Sequence, residues 1–166
     1  MKVLIFGPSG AGKTYISSSL RKVGINAVDA DAVQGLSSWF DGRGNKVICP
    51  EDADEAFLDN HSFLWDKEFL KNYLKQNHDI YLFGSSGNIF EMLSLFDNVF
   101  FLHIDPVLQK ERLQHESREN PMGNTEYQRE NAVQWGIELE KKAKEYNISL
   151  LNASLTPQEI FFQLNG

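Results

Sequence analysis

The chain has 166 residues, 42% of them hydrophobic, enough for a single domain spanning 1–166 around one core. A formal net charge of −7, with no run of Lys and Arg interleaved with aromatics, argues against a long nucleic acid as partner. A lone cysteine, Cys49, no Cys/His cluster and no apolar run near ~18 residues argue against a disulfide framework, a zinc site and a membrane span, and a cytoplasmic protein is expected.

The first strand is Val3-Leu4-Ile5-Phe6, and it runs directly into Gly7-Pro8-Ser9-Gly10-Ala11-Gly12-Lys13-Thr14. This is a complete G-x-x-x-x-G-K-[ST] phosphate loop. Polyphosphate is densely anionic, and binding it requires backbone N–H groups to converge on one point, which glycines permit. Gly7, Ser9, Gly10, Ala11 and Gly12 are the candidate backbone donors, Lys13 reaches the β/γ-phosphates and Thr14 ligates Mg²⁺. Ile16, Leu20 and Val23 then have the spacing of a buried helix face, and Gly24 supplies the stop.

Ile25 to Val28 reads as a second strand, ending in Asp29-Ala30-Asp31 where a helix is expected to begin. From Ala32 to Asp66 the pattern is irregular, with a Gly-rich turn at residues 41–45, Pro50 and a short acidic helix from Asp52 to Leu58. Asp66 caps a helix carrying Phe69, Leu70, Tyr73 and Leu74, which leads into the doubly covered strand Ile80–Phe83. A tight loop, Gly84-Ser85-Ser86-Gly87-Asn88, and a short helix from Ile89 to Leu95 precede a fourth strand, Val99–Ile104. Asp105-Pro106 starts a helix running to about Glu119. Thr125-x-x-Gln128 is a capping box opening a long helix with Ala132, Gly136, Leu139, Ala143 and Tyr146 in period. Ile148 to Leu151 is a fifth strand, and the Thr156-x-x-Glu159 box starts a last helix with Ile160, Phe161 and Leu164 inward. Such alternation predicts an α/β fold, three layers deep, with a parallel sheet and ligands at the strands' carboxyl ends.

The phosphate loop, Asp29-x-Asp31, and the run Leu102-His103-Ile104-Asp105-Pro106 leading into Glu111-Arg112-Leu113 together resemble the small P-loop kinases, the group of nucleoside-monophosphate, shikimate and gluconate kinases. The resemblance covers essentially the whole chain in element order, and its one sharply specific motif is the phosphate loop. It implies the P-loop NTPase fold with a five-stranded sheet, ATP and Mg²⁺ as cofactors, an acceptor-binding segment at about 32–66, and a short lid at about 118–126 with Arg118. It also implies that Asn152-Ala153-Ser154 contacts adenine. Two departures stand out. The acidic Asp-Gly pair that nucleoside-monophosphate kinases carry after the third strand is here Gly84-Ser85, and the arginines with which shikimate kinases hold a carboxylate are not evident. No Asn-Lys-x-Asp guanine signature occurs, which disfavours GTPase switching.

Phosphoryl transfer needs donor and acceptor in line and charge neutralised on the transferred oxygens. With no acid after the third strand, Asp29, matching the first position of the group's Asp-x-Asp, is assigned to Mg²⁺; its alternative is an exposed strand-end carboxylate. Asp31 either orients the attacking hydroxyl or caps a helix through Asp31-x-x-Gln34. Arg112 and Arg118 either converge on the phosphates or pair with nearby glutamates. Ser85, Ser86 and Asn88 suit an acceptor hydroxyl or a turn, Arg43, His61 and Trp65 are weaker acceptor candidates, and His103 reads as a core histidine. The functional expectation is ATP- and Mg²⁺-dependent phosphoryl transfer to a nucleoside, nucleotide, sugar or hydroxy acid, the alternative being a nucleotide-binding regulatory protein.

Overall fold

The computed structural model describes residues 1–115 and 124–166. In chain order these form β1 (Lys2–Phe6), α1 (Lys13–Lys22), β2 (Ala27–Asp29), β3 (Ser37–Phe40), β4 (Lys46–Val47), α2 (Glu55–Asn60), β5 (Ser62–Trp65), α3 (Lys67–Gln76), β6 (Ile80–Phe83), β7 (Asn98–His103), α4 (Pro106–Leu113), α5 (Glu126–Glu145), β8 (Ser149–Asn152) and α6 (Pro157–Asn165).

β1 is the middle strand of an all-parallel, five-stranded sheet ordered β2-β6-β1-β7-β8. Val3 to Phe6 are fully buried, as expected of a parallel strand covered on both faces. Alternation along the strand divides the core in two. Leu4 and Phe6 join Leu70 and Leu74 of α3 and Leu139 and Ala143 of α5. Val3 and Ile5 instead join Ile16 and Leu20 of α1 and Ile160 and Leu164 of α6. The result is the three-layer α/β/α P-loop fold. Because all five strands run the same way, the phosphate loop, Asp29, Gly84 and Asn152 emerge along one edge of the sheet.

A second sheet, antiparallel and ordered β4-β3-β5, builds the segment from 32 to 66, for which irregular structure was expected. It is joined to the main sheet through the loop after β6. Asn88 accepts from the Trp65 backbone N–H at 3.0 Å and donates to the Trp65 carbonyl at 2.9 Å, so one carboxamide stands in for a strand neighbour. The Gly87 N–H adds a bond to the Phe63 carbonyl.

Several local expectations are corrected. Val23 lies past the end of α1 and is 65% exposed, because the helix closes at Lys22, two residues before the Gly24 stop. After β2 the chain makes a 3₁₀ turn, Ala30–Ala32, and Asp29 provides its cap by accepting from the Asp31 N–H; Asp31 therefore caps no helix. The acidic helix starts at Glu55 with Asp54 as cap, and Ile89 to Leu95 form two 3₁₀ turns. α4 ends at Leu113, with Gln114 as its cap. Only half of the Thr125/Gln128 box exists: Thr125 Oγ1 accepts from the Gln128 N–H, whereas the Gln128 side chain is buried, accepting from the Asn124 N–H and donating to the Ala53 carbonyl. The Thr156/Glu159 box is complete. Arg118 and most of the expected lid at 118–126 lie outside the described residues.

Candidate active site

The phosphate loop leaves β1 and turns into α1 through residues at positive φ, Gly10 at 85° and Gly12 at 96°. A side chain at Gly12 would be strained, and so the loop can wrap with its N–H groups inward. Gly12 also leaves the start of α1 without a side-chain cap and without an acid in its first turn. The other five α-helices among the described residues each start under an Asp or Thr side chain: Asp54, Asp66, Asp105, Thr125 and Thr156. The N–H groups that those caps satisfy elsewhere are open at α1, where the helix dipole adds positive potential. An anion fits that position.

Lys13 folds over the loop, donating to the Gly7 and Pro8 carbonyls at 2.7 and 2.8 Å. Thr14 Oγ1 donates to Asp29 Oδ2 at 2.6 Å, while Asp29 Oδ1 accepts from the Asp31 N–H at 3.0 Å. A hydroxyl and a carboxylate thus meet beside the phosphate loop. Among the described residues no group of three or more His, Cys, Asp or Glu gathers as a protein cage for a metal. The Thr14–Asp29 pair fits instead a hard cation that keeps most of its shell as water and phosphate oxygen, the habit of Mg²⁺.

Asp31 retains solvent-facing surface but is crowded by protein on most sides, the setting of a cleft wall. Burial raises its carboxyl above the usual range, the Asp29 carboxylate raises it further, and Lys13 opposes both. A carboxyl shifted upward beside a phosphate loop has the basicity to accept a proton.

A brace behind the loop was missed in the sequence. Gln109, buried in α4, donates from one Nε2 to the Ser9 carbonyl at 2.9 Å and the Ala132 carbonyl at 3.2 Å. Its only sequence signal is a polar residue on an inward helical position. Arg112 donates through Nη1 to the Ala11 carbonyl and through Nη2 to the Ala153 carbonyl, both at 3.1 Å, and burial lowers the pKa of its guanidinium. These bonds tie the phosphate loop to the turn after β8. Asn152 shapes that turn, its Oδ1 accepting from the Ser154 N–H and hydroxyl.

The remaining candidates separate. Ser86 is buried and donates to Asn88, whose carboxamide is committed to Trp65, so both serve the junction between the sheets. Ser85 Oγ and Trp65 Nε1 are buried without a hydrogen-bond partner among the described residues. Arg43 lies in the hairpin turn organised by Asp41, and His61 stacks on Phe57 at 3.9 Å with Nδ1 on the Phe57 carbonyl. His103 is no core residue: its side chain is 47% exposed and pairs with Glu140 of α5.

Solved structures similar to this chain are kinases of small molecules. A shikimate kinase from Acinetobacter baumannii in complex with shikimate is 17% identical, with 98% of this chain and 92% of that one covered and a TM-score of 0.58. A gluconokinase from Sinorhizobium meliloti 1021 is 15% identical over 96% and 86%, with a TM-score of 0.52. A deoxyadenosine kinase from M. mycoides with bound dATP is 17% identical over 100% of both chains, with a TM-score of 0.50. No protein-family model and no curated protein matches the sequence. At such identities the likeness shows a shared fold, that of the small P-loop kinases. No helix among the described residues is long and apolar enough to cross a membrane.

Proposed function

We propose that residues 1–166 form one catalytic domain that transfers the γ-phosphoryl group of ATP, with Mg²⁺, to the hydroxyl of a small molecule held by residues 32–66. The observation that carries this reading is the open start of α1, uncapped where every other α-helix among the described residues is capped, inside a complete phosphate loop. Mg²⁺, held by Thr14 Oγ1 and Asp29, would neutralise charge on the β- and γ-oxygens. Lys13 leaves the loop carbonyls for those oxygens. Asp31 accepts the hydrogen bond of the attacking hydroxyl; as its oxygen bonds to the γ-phosphorus and ADP leaves, the proton passes to the carboxylate. Arg112 holds the loop and the Asn152 turn at a fixed spacing, with Asn152 at the base end of the nucleotide. Arg118, in the lid proposed at 118–126, adds positive charge to the transferred group.

A second reading, a nucleotide-binding regulatory protein, is favoured by one feature: Gly84-Ser85 stands where an acid would follow β6. ADP release measured with ATP, Mg²⁺ and a panel of nucleosides, nucleotides, sugars and hydroxy acids separates the two. The kinase reading expects at least one acceptor to raise turnover above the acceptor-free rate. ATP binding with no such rise across the panel supports the regulatory reading.

A further inference from the structure

The phosphate loop and the segment proposed to hold the acceptor are far apart in sequence, and one face of α5 reaches both. Gln128, Ala132 and Gly136 follow at four-residue steps, so they lie on the same side of the helix, about 6 Å apart and about 12 Å from first to last. All three are buried. At the far end Gly136 packs on the phosphate loop so closely that a Cβ there would lie 2.9 Å from the Pro8 Cβ. In the middle, Nε2 of Gln109 donates to both the Ala132 carbonyl, at 3.2 Å, and the Ser9 carbonyl, at 2.9 Å. At the near end the Gln128 carboxamide donates to the Ala53 carbonyl at 3.0 Å and to the Glu51 carbonyl at 3.4 Å, while its oxygen accepts from the Asn124 N–H at 3.0 Å.

The chain from 48 to 60 packs lightly on the rest of the fold. Ile48 is 93% exposed, and α2 buries none of its residues. Ala53 is the exception at 1% exposed, and Gln128 meets its carbonyl there. Phe57 of α2 lies against Trp39 of β3, so a hold on Ala53 is passed on to the second sheet. Burying an amide costs free energy unless its bonds are made, so a carboxamide at this position is kept by the arrangement it fixes rather than by apolar packing. The arrangement fixed here is that of residues 51–53 against the first turn of α5.

We infer that Gln128 is a positioning residue for the acceptor: its carboxamide fastens the acceptor segment to α5, and α5 fixes that segment's distance from the phosphate loop. This rests on the kinase reading above, with residues 32–66 as the acceptor segment. A segment already set in place costs a bound acceptor no ordering. Released from Gln128, the segment is competent only part of the time, and apparent acceptor affinity falls by that fraction. The nucleotide, held by the loop amides and Lys13 at the other end of α5, does not depend on the fastening.

The test compares Gln128→Met and Gln128→Leu with Leu139→Ala. Methionine and leucine keep most of the buried volume and remove the hydrogen bonds. Leu139 is buried in the core that α5 shares with Leu4 and Phe6 of β1, so its truncation measures loss of stability alone. With the acceptor that wild type turns over best, each Gln128 variant is expected to raise acceptor KM about tenfold, as for a competent arrangement about one-tenth populated, with kcat and the ATP Kd within about threefold. Hydrogen exchange at the Phe57 and Leu58 amides, both bonded to Asp54, is expected to accelerate, and exchange in β1 to stay as in wild type. Leu139→Ala is expected to lower Tm at least as far and to leave acceptor KM unchanged. An unchanged acceptor KM in both Gln128 variants, or a rise matched by the ATP Kd or by Leu139→Ala, overturns the positioning role and leaves the kinase reading standing. Failure of both Gln128 variants to fold makes Gln128 a folding residue and overturns the role as well. No turnover by wild type with any acceptor removes the kinase reading and this inference with it.

Discussion

Residues 7–14 present backbone N–H groups together with the Lys13 and Thr14 side chains, whereas residues 32–66 present side chains. The phosphate loop presents N–H groups at the uncapped start of α1 and folds Lys13 onto two carbonyls. It is braced from behind by Gln109 and Arg112, which also bond carbonyls. The second sheet carries Trp39 and Phe63, with Phe57 against Trp39 and His61 stacked on Phe57, and is joined to the core by the Asn88 carboxamide and the Gly87 N–H. Backbone recognition suits a donor common to many enzymes, because phosphates look alike whatever they are attached to. Recognition by side chains suits an acceptor particular to one enzyme, because side chains can change without disturbing the fold. The second sheet meets the end of β6 and the Asp29–Asp31 turn at Gly84, where there is no room for a methyl group.

Substitutions can break this division, and Lys13→Ala has the largest expected effect. Loss of the Lys13 charge is expected to lower turnover about 10³-fold and to abolish tight ATP binding, read by titration calorimetry. Asp29→Asn is expected to lower Mg²⁺-dependent turnover about 100-fold while ATP affinity moves a few fold, since it removes a metal-side group and leaves the loop amides intact. Loss of both in equal measure would make Asp29 a folding residue.

Gly84→Ala probes the meeting point. The added methyl must displace Ala30 or Trp65, and a stability loss of about 1–3 kcal/mol is expected from chemical denaturation. Arg112→Met keeps the stem and removes the two bonds to Ala11 and Ala153; about a tenfold rise in ATP KM is expected, with acceptor KM unchanged.

Asp31→Asn has the smallest expected effect on stability and a distinctive sign. The Asp31 carboxyl is raised in the fold, so the fold disfavours its ionised form. That destabilisation is fully present above the raised value and disappears as pH falls below the ordinary value of 3.8. Asp31→Asn is therefore expected to raise Tm at neutral pH and to leave it unchanged near pH 3, read by calorimetric scans. In activity, wild type is expected to lose kcat as pH falls through the raised value, and the variant to lack that acid limb.

The phosphate loop was legible because its chemistry requires a fixed spacing of glycines, lysine and hydroxyl with no partner far away in sequence. The central strands β1 and β6 were legible as apolar runs, since a doubly covered strand is hydrophobic on both faces. The second sheet was not: β3 reads Ser37-Ser38-Trp39-Phe40 and is half-buried throughout, so no alternation marks it. Its stability comes from pairing across more than twenty residues and from Asn88, which looks in sequence like a loop residue. Asp31 was ambiguous because its capping-box spacing is genuine, yet Asp29 reaches the N–H first. Arg112 was noticed for its charge, whereas its two backbone bonds depend on the turn after β8, which spacing within α4 cannot reveal.

The most direct test follows the γ-phosphorus of ATP by ³¹P NMR in the presence of the protein, Mg²⁺ and a hydroxyl acceptor. Conversion of its resonance into that of a phosphoester on the acceptor, dependent on Lys13, is the expected result. Inorganic phosphate as the sole product, or an unchanged ATP spectrum in the presence of bound protein, would contradict phosphoryl transfer at this site.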